Sequence, residues 1–173
     1  MEALHPRFDA LRQVLDGATT VVITGHVKAD GDAVGAVASL RRHLELEGMQ
    51  VTALLNEPLS SRYGFMEFRR RLEVYSDESH GELLRTADVI IMCDLSAMGR
   101  LGPLRGPIED SAATKVCFDH HPCDNDGPGE VFIHDPTATA TGCLTYDYIK
   151  YVGGEIDREI AESVFVSLCT DTG

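Results

Sequence analysis

Side chains that commonly bind divalent cations are concentrated in four short pieces of this sequence, most of them just after an apolar run. They are His26, Asp30, Asp32, Asp94, His120 and Asp171. Oxygen and imidazole ligands without thiolate suit manganese or magnesium better than structural zinc. The set therefore predicts a site for two divalent cations, provided that the fold brings the four pieces together.

Each of three carboxylates also has a simpler interpretation. Asp32 stands where a helix is predicted to begin and could be its N-cap, Asp94 could cap the turn at residues 95–96, and Asp171 could be an ordinary helix-end residue. A buried, unpaired carboxylate after the apolar residues 89–93 would nevertheless be costly. A position between two cations would remove that cost for Asp94.

The segment 119–121, Asp-His-His, suggests a division of roles. Adjacent residues that leave a strand point to opposite sides, so His120 can bind metal while His121 faces a substrate. Asp119 can then orient an imidazole by a hydrogen bond. The helix predicted to begin near Asp32 also aims free N–H groups at this place, which favours an anion.

Apolar patterning places most of these residues at strand ends. Strands are predicted at 19–24, 51–55, 72–75, 88–93, 114–118 and 131–133; helices at 6–16, 32–47, 139–152 and 156–169; shorter helical pieces at 62–70 and 81–86; and a loop at 99–107. This alternation predicts an α/β fold with a doubly wound, mainly parallel sheet covered by helices on both faces. Ligands of such sheets bind beyond the carboxyl ends of the strands. Arg41, Arg42 and His43 are predicted to be solvated helix residues.

Composition indicates one ordinary globular domain. The chain has 173 residues, 43% of them hydrophobic and 25% charged, and we see no segment long and apolar enough to cross a membrane and no secretory signal. Its five cysteines form no C-x-x-C pair, which favours reduced, mostly buried thiols and a cytoplasmic location. The net charge of −13 argues against a broad surface for long nucleic acid, but not against a small phosphorylated substrate.

Four motifs together resemble those of the DHH phosphoesterase superfamily in order and spacing. They are His26-Val-Lys-Ala-Asp30-Gly-Asp32, Cys93-Asp94, Asp119-His120-His121-Pro122 and Cys169-Thr-Asp171-Thr-Gly173. The resemblance spans nearly the whole chain from residue 19 onward. It implies a parallel sheet of about five strands, with two divalent ions, usually manganese, at its carboxyl edge.

The resemblance also implies a role for each motif residue. One metal ion would be bound by His26, Asp30 and Asp94. The other would be bound by four residues, with Asp94 shared between the two ions: Asp32, Asp94, His120 and Asp171. A water or hydroxide between the ions would attack phosphorus, and His121 would contact the phosphoryl group or help to protonate the leaving oxygen. Manganese is the expected metal, with magnesium as the alternative.

Within the superfamily, the histidine before Asp30-Gly31-Asp32 and the segment 135–142 resemble the nanoRNase/pAp-phosphatase branch. A threonine-rich helix start, with hydroxyls capping N–H groups, is the simpler interpretation of 135–142. Members of the family normally add a smaller, substrate-binding C-terminal domain. Residues 1–173 would then be the DHH catalytic domain, a fragment of a longer two-domain protein. A homodimer is also compatible with the resemblance.

Three functions follow from these observations. The leading hypothesis is hydrolysis of short oligoribonucleotides or 3′-phosphoadenosine 5′-phosphate. The second keeps the metal chemistry but acts on polyphosphate, pyrophosphate or linear dinucleotides such as pApA, or degrades single strands as RecJ-type exonucleases do. The third is a nucleotide-binding domain without turnover. His134 and Lys28 are weaker candidates for substrate contacts.

Overall fold

A computed structural model describes residues 2–123 and 127–173 of the chain. Its centre is a sheet of six strands, all parallel, in the spatial order β3-β2-β1-β4-β5-β6. The strands are β1 (Thr20–Gly25), β2 (Gln50–Leu55), β3 (Leu72–Val74), β4 (Val89–Cys93), β5 (Thr114–Asp119) and β6 (Val131–His134). The predicted α/β class and parallel sheet are confirmed, with six strands where the family resemblance implied about five.

Within the described residues, six α-helices surround this sheet. They are α1 (His5–Leu15), α2 (Gly31–Leu46), α3 (Asp77–Thr86), α4 (Arg105–Asp110), α5 (Thr141–Tyr151) and α6 (Arg158–Thr172). Short 3-10 helices cover Glu2–Leu4, Ser61–Tyr63, Glu67–Arg71 and Met98–Leu104. Helix α3 begins earlier than predicted because the Ser76 hydroxyl accepts a hydrogen bond from the Ser79 N–H and caps it.

The predicted loop at 99–107 is wrong, because the segment is mostly helical. The 3-10 helix Met98–Leu104 leads directly into α4. Its glycines and prolines mark a kink rather than a loop, since Gly102 has φ of 55° and Pro103 follows it. Leu101, Leu104 and Ile108 are buried, so packing against the sheet stabilises a segment whose local sequence is typical of a turn.

Alternating strand residues supply two separate cores, one on each face of the sheet. On one face, residues such as Ile23, Ile91 and Phe118 pack with α1, α2 and α5. On the other, residues such as Val22, Ile90 and Cys117 pack with the segment that contains α3 and α4. This two-sided burial explains why the strands read as continuous apolar runs rather than alternating ones.

The prediction that Arg41 and His43 are solvated is wrong. Arg41 is 0% exposed and His43 is 2% exposed. The Arg41 guanidinium donates to Glu45, at 2.6 Å, and to Glu159 of α6. Helix α6 packs along α2 and supplies this counter-charge, so a side chain that patterning assigns to the surface lies inside an interface between helices.

Candidate metal centre

Strand register brings the predicted ligands to one edge of the sheet. Gly25, the last residue of β1, is paired with Cys93, and Cys93 is paired with Phe118 of β5. The residues that follow, His26 after β1 and Asp94 after β4, therefore leave the sheet side by side, next to the end of β5. The Asp94 N–H donates to the Phe118 carbonyl at 2.8 Å, which extends the ladder to the site itself.

The first group of ligand atoms lies around the end of β1. The His26 Nε2 is 3.2 Å from an Asp94 carboxylate oxygen and 3.9 Å from Asp30 Oδ1. One ligand atom from each of these three residues lies within 4.8 Å of the others. The group has the same members as the set that the family resemblance implied for one metal ion.

The second group lies beside it and joins three elements. The His120 Nε2 is 3.4 Å from an Asp32 oxygen and 2.9 Å from an Asp171 oxygen. Ligand atoms of these three residues again lie within 4.8 Å of one another, and Asp94 forms a further such group with His120 and His121. Asp94 therefore lies between the two predicted sets.

Two imidazole nitrogens at this site are left without hydrogen bonds. The Nε2 atoms of His26 and His120 are buried and have no hydrogen-bond partner among residues 2–123 and 127–173. In each ring the other nitrogen is close to a backbone carbonyl: His26 Nδ1 lies 2.7 Å from the Val27 oxygen, and His120 Nδ1 lies 3.1 Å from the Ala138 oxygen. A proton on Nδ1 donates to each carbonyl, and this tautomer leaves Nε2 as a bare lone pair. This is the arrangement that histidine ligands of metals normally have.

Asp32 is not the N-cap of α2, because Asp30 takes that position and accepts hydrogen bonds from the Asp32 and Ala33 N–H groups. The Asp32 carboxylate instead accepts the first N–H groups of α5. Thr141 N–H donates at 2.8 Å and Gly142 N–H at 3.0 Å, and the Ser167 hydroxyl of α6 donates as well.

Burial and the nearby Asp94 carboxylate raise the pKa of Asp32 to about 6, although these hydrogen bonds oppose the shift. Burial also raises the pKa of Asp171, against the attraction of His120. Both carboxyls therefore resist ionisation in the metal-free protein. A nearby divalent cation would reverse this effect, because it favours the charged form of its ligands.

Asp94 occupies a constrained position. It is 1% exposed, and its backbone φ of 62° is uncommon outside glycine. Its carboxylate faces His26, His121 and Thr141, whose hydroxyl donates to it at 3.0 Å, rather than capping the turn at residues 95–96. Burial raises the pKa of Asp94, but the neighbouring His26, with further help from His121, brings the net value below normal.

His121 faces solvent from the edge of the site. Its side chain is 43% exposed, and its Nδ1 lies 2.9 Å from Asp119 Oδ1. The fully buried Asp119 also accepts the His121 backbone N–H. Burial lowers the pKa of His121, but the hydrogen bond to Asp119 and the charge of Asp94 outweigh that effect and raise it. The exposed ring can therefore carry a proton at its outward nitrogen.

The two weaker candidates differ from each other. His134 Nε2 lies 2.8 Å from the His121 backbone oxygen, and its ring stacks on Phe132. His134 therefore contacts the backbone that carries His121. Lys28 has φ of 55°, and its N–H donates to Glu57. Its side chain lines a cavity of about 210 Å³ with residues that include Leu55 and Pro58.

A larger cavity, of about 610 Å³, lies at the opposite, amino-terminal edge of the sheet. Its lining includes Arg12, His43, Met49 and Tyr148 but none of the predicted metal ligands. Cavity size therefore does not identify the metal centre here. The centre is recognised by its converging ligand atoms, and it opens to solvent on the side of His121 and Asp30.

Sequence reasoning missed three residues of this site. Thr141 belongs to the segment 135–142, which is interpreted from the sequence as a branch-specific motif or a threonine-rich helix start; Ser167 has no predicted role, and Arg100 lies in the predicted loop. The backbone oxygen of Arg100 accepts the Val27 N–H at 2.8 Å, directly beside His26. The motif before α5 was the available signal for Thr141, whereas the contact of Ser167 depends on how α6 packs.

Comparison with known proteins identifies the family of this chain. The model of the DHH family, N-terminal domain, matches residues 20–168. The chain therefore belongs to the DHH family, and the resemblance drawn from its four motifs is confirmed.

One curated relative is the bifunctional oligoribonuclease and PAP phosphatase NrnA of Thermus thermophilus. It is 30% identical over 153 residues, which make up 88% of this chain and 43% of the relative. Among solved structures, an exopolyphosphatase-related protein from Bacteroides fragilis is 26% identical and superposes with a TM-score of 0.91, over 98% of this chain and 51% of that one. The chain thus spans about half or less of the length of these relatives.

Two structures of the exonuclease RecJ share the fold at lower identity. One, bound to manganese, is 18% identical with a TM-score of 0.59 over 97% of this chain and 43% of that one. The other, from Thermus thermophilus in complex with Mn²⁺, is 17% identical with a TM-score of 0.55 over 93% of this chain and 23% of that one.

Two further predictions can be compared with the structure. In the described part of the chain, no helix combines the length and the apolar character that a membrane crossing requires. Of the five cysteines, only Cys93 and Cys117 are buried, and Cys169 is exposed. The expectation that they are mostly buried is therefore wrong.

Proposed function

We propose that this chain is the catalytic domain of a phosphoesterase that requires two divalent cations, with Mn²⁺ preferred. The observation that carries this proposal is the pair of adjacent ligand groups, His26–Asp30–Asp94 and Asp32–His120–Asp171, with Asp94 between them. The bare Nε2 atoms of His26 and His120 and the raised pKa of Asp32 support it, because each is unfavourable without a cation.

Different residues of the site would have different roles in hydrolysis. Two bound cations would lower the pKa of a shared water and neutralise charge on the attacking and leaving oxygens. Asp94 holds both ligand groups together, and Thr141 fixes the orientation of its carboxylate. His121, held by Asp119, presents its outward nitrogen to the phosphoryl group and donates a proton to the leaving oxygen.

Short oligoribonucleotides and 3′-phosphoadenosine 5′-phosphate are the proposed substrates. The support is the 30% identity to a protein described as an oligoribonuclease and PAP phosphatase. The match to a structure described as exopolyphosphatase-related keeps polyphosphate as a second candidate. The net charge of −13 also favours a short substrate, because a long nucleic acid needs an extended basic surface.

We further propose that the chain acts together with a second domain, in a cytoplasmic protein. The relatives that it matches are about twice its length, and the thiols of Cys93, Cys117, Cys143 and Cys169 suit a reducing compartment. Substrate selection would then depend in part on residues outside this chain.

Replacement of Asp94 tests the proposed function in the full-length protein. Asparagine keeps the shape of the side chain and tolerates the positive φ of this position better than alanine does. We expect Asp94→Asn to reduce Mn²⁺-dependent turnover to background while circular dichroism shows a folded protein. Asp110→Asn, at an exposed position in α4, is the matched control and should retain wild-type turnover.

A substrate panel in Mn²⁺ distinguishes the candidate activities. It contains short oligoribonucleotides, 3′-phosphoadenosine 5′-phosphate, pApA, pyrophosphate, polyphosphate and single-stranded DNA. Turnover that survives in Asp94→Asn would remove Asp94 from the mechanism. Metal binding by the wild type without hydrolysis of any member of the panel would favour a nucleotide-binding domain instead.

A further inference from the structure

An unpaired arginine lies at the edge of the metal centre. Arg100 is partly buried, and its guanidinium makes no hydrogen bond or ion pair to any other residue that the structure describes. Two other arginines are paired with carboxylates: Arg105 with Glu109 at 2.8 Å, and Arg42 with Asp157 at 2.6 Å. A partly buried cation without a partner, in a chain with a net charge of −13, requires an explanation.

The backbone holds Arg100 close to the proposed metal ligands. Its carbonyl accepts the Val27 N–H at 2.8 Å, and Val27 directly follows His26. Gly102 also packs closely against Val27, since a Cβ at Gly102 would lie 2.3 Å from Val27 Cγ1. With its φ of 55°, Gly102 allows the 3-10 helix to approach this closely. The position of Arg100 is therefore set by packing rather than by a free loop.

The positive charge of Arg100 acts on the two histidines that contact Asp94. It acts to lower the pKa of His26 and also that of His121, and these two rings contact different oxygens of the Asp94 carboxylate. His121 and Asp30 are the exposed members of the site, and Arg100 is within electrostatic reach of His121.

An anionic substrate needs positive charge at this edge. Five carboxylates surround the centre, namely Asp30, Asp32, Asp94, Asp119 and Asp171. Two divalent cations would offset most of that negative charge. They would leave no net positive charge to attract a phosphate that approaches from outside. A guanidinium presents paired donors that match phosphoryl oxygens, and it stays charged at every physiological pH.

We propose that Arg100 binds a phosphate group of the substrate at the open side of the metal centre. This inference rests on the proposed function, because it assumes a phosphorylated substrate at the cations. Arg100 would act in substrate binding and would leave metal binding unchanged. Its loss should therefore appear mainly in KM and in the affinity for inorganic phosphate.

Three variants of the full-length protein test this assignment: Arg100→Gln, Arg100→Lys and, as the matched control, Arg105→Gln. Binding of inorganic phosphate to the Mn²⁺-loaded protein is measured by calorimetry, Mn²⁺ affinity by electron paramagnetic resonance, and KM and kcat on the substrate of highest turnover. We expect Arg100→Gln to weaken phosphate binding and raise KM by about tenfold or more, as loss of a charge-assisted hydrogen bond implies. Lysine should restore part of the loss, and Arg105→Gln should match the wild type.

Two results would overturn the proposal. One is phosphate affinity in Arg100→Gln within twofold of the wild type, including the case in which neither protein binds phosphate. The other is an equal loss of Mn²⁺ affinity, which would mean that Arg100 acts on the metal centre itself. The phosphate measurement needs no turnover, so it judges Arg100 even if the wild type hydrolyses no substrate and the proposed function fails.

Discussion

Asp32 gives the most quantitative prediction of this structure. Its pKa is raised from the usual 3.8 to about 6, first by burial and then by the charge of Asp94. A shift of this size corresponds to about 3 kcal/mol. Because the folded pKa lies above the unfolded one, the stabilising contribution of the protonated carboxyl is complete below pH 3.8 and is lost as the pH rises through 6. Roughly half of that loss falls between pH 5 and pH 8.

Asp32→Asn removes the charge but keeps the size of the side chain. The amide oxygen can replace Oδ1, which accepts from the Gly142 N–H and the Ser167 hydroxyl. The NH₂ group that replaces Oδ2 cannot accept the hydrogen bond from the Thr141 N–H. Losing that bond costs about 1–3 kcal/mol, against about 3 kcal/mol gained at high pH by removing the buried charge. In metal-free protein at pH 8 the variant should therefore equal or exceed the wild type in stability, and at pH 5 its relative stability should be lower.

Urea unfolding in EDTA at pH 5, 6.5 and 8 measures this difference, with the exposed Asp110→Asn as the control. The free energy of unfolding of the variant relative to the wild type should rise by about 1.5 kcal/mol from pH 5 to pH 8. Adding Mn²⁺ at pH 8 should stabilise the wild type and the control much more than Asp32→Asn. A difference that stays flat with pH, or that falls, would show that Asp32 is not a strained carboxyl and would refute the argument.

Two further predictions concern the support of the site. Thr141→Val removes the hydroxyl that donates to Asp94, so Mn²⁺ affinity in calorimetry should fall about 10–100-fold; Thr141→Ser should restore it, and equal affinity in all three proteins would contradict the positioning role. Arg41→Ala leaves Glu45 and Glu159 without their shared partner, so urea unfolding should show a loss of about 3 kcal/mol, whereas Arg42→Ala, at a more exposed pair, should lose less than about 1 kcal/mol. Equal losses in these two variants would mean that the burial of Arg41 has no energetic consequence.

The sequence predicts the sheet and the strand-end ligands for one physical reason. Parallel strands buried on both faces are recognisable as apolar runs, and their carboxyl ends must meet at one edge. His26, Asp94 and His120 follow such runs, so their proximity could be expected before any coordinates were known. Asp171 joins them only because α6 packs along α2 towards the same edge, and here the family resemblance gave more information than helical periodicity did.

The supporting contacts could not be predicted in this way, because they depend on tertiary packing. The Thr141 N–H reaches Asp32 across 109 positions of sequence, and only the docking of α5 against α2 and α6 brings the two together. A Cβ at Gly142 would lie 2.1 Å from the Ser167 hydroxyl oxygen, so the close approach of α5 and α6 needs that glycine. In the same way, local composition at residues 99–107 favoured a loop, whereas burial of Leu101 and Leu104 produces a helix that positions Arg100.

These contacts leave the site energetically incomplete without cations. The backbone carbonyls that fix His26 and His120 also leave their Nε2 atoms buried, without a hydrogen-bond partner in the described part of the chain. The helix N-terminus that holds Asp32 lowers its pKa, yet burial and Asp94 raise it by more. Each of these costs is removed by a positive charge at one place, between the two ligand groups. Metal binding at the proposed site would therefore be coupled to folding, and the carboxyl edge should be the least stable part of the metal-free fold.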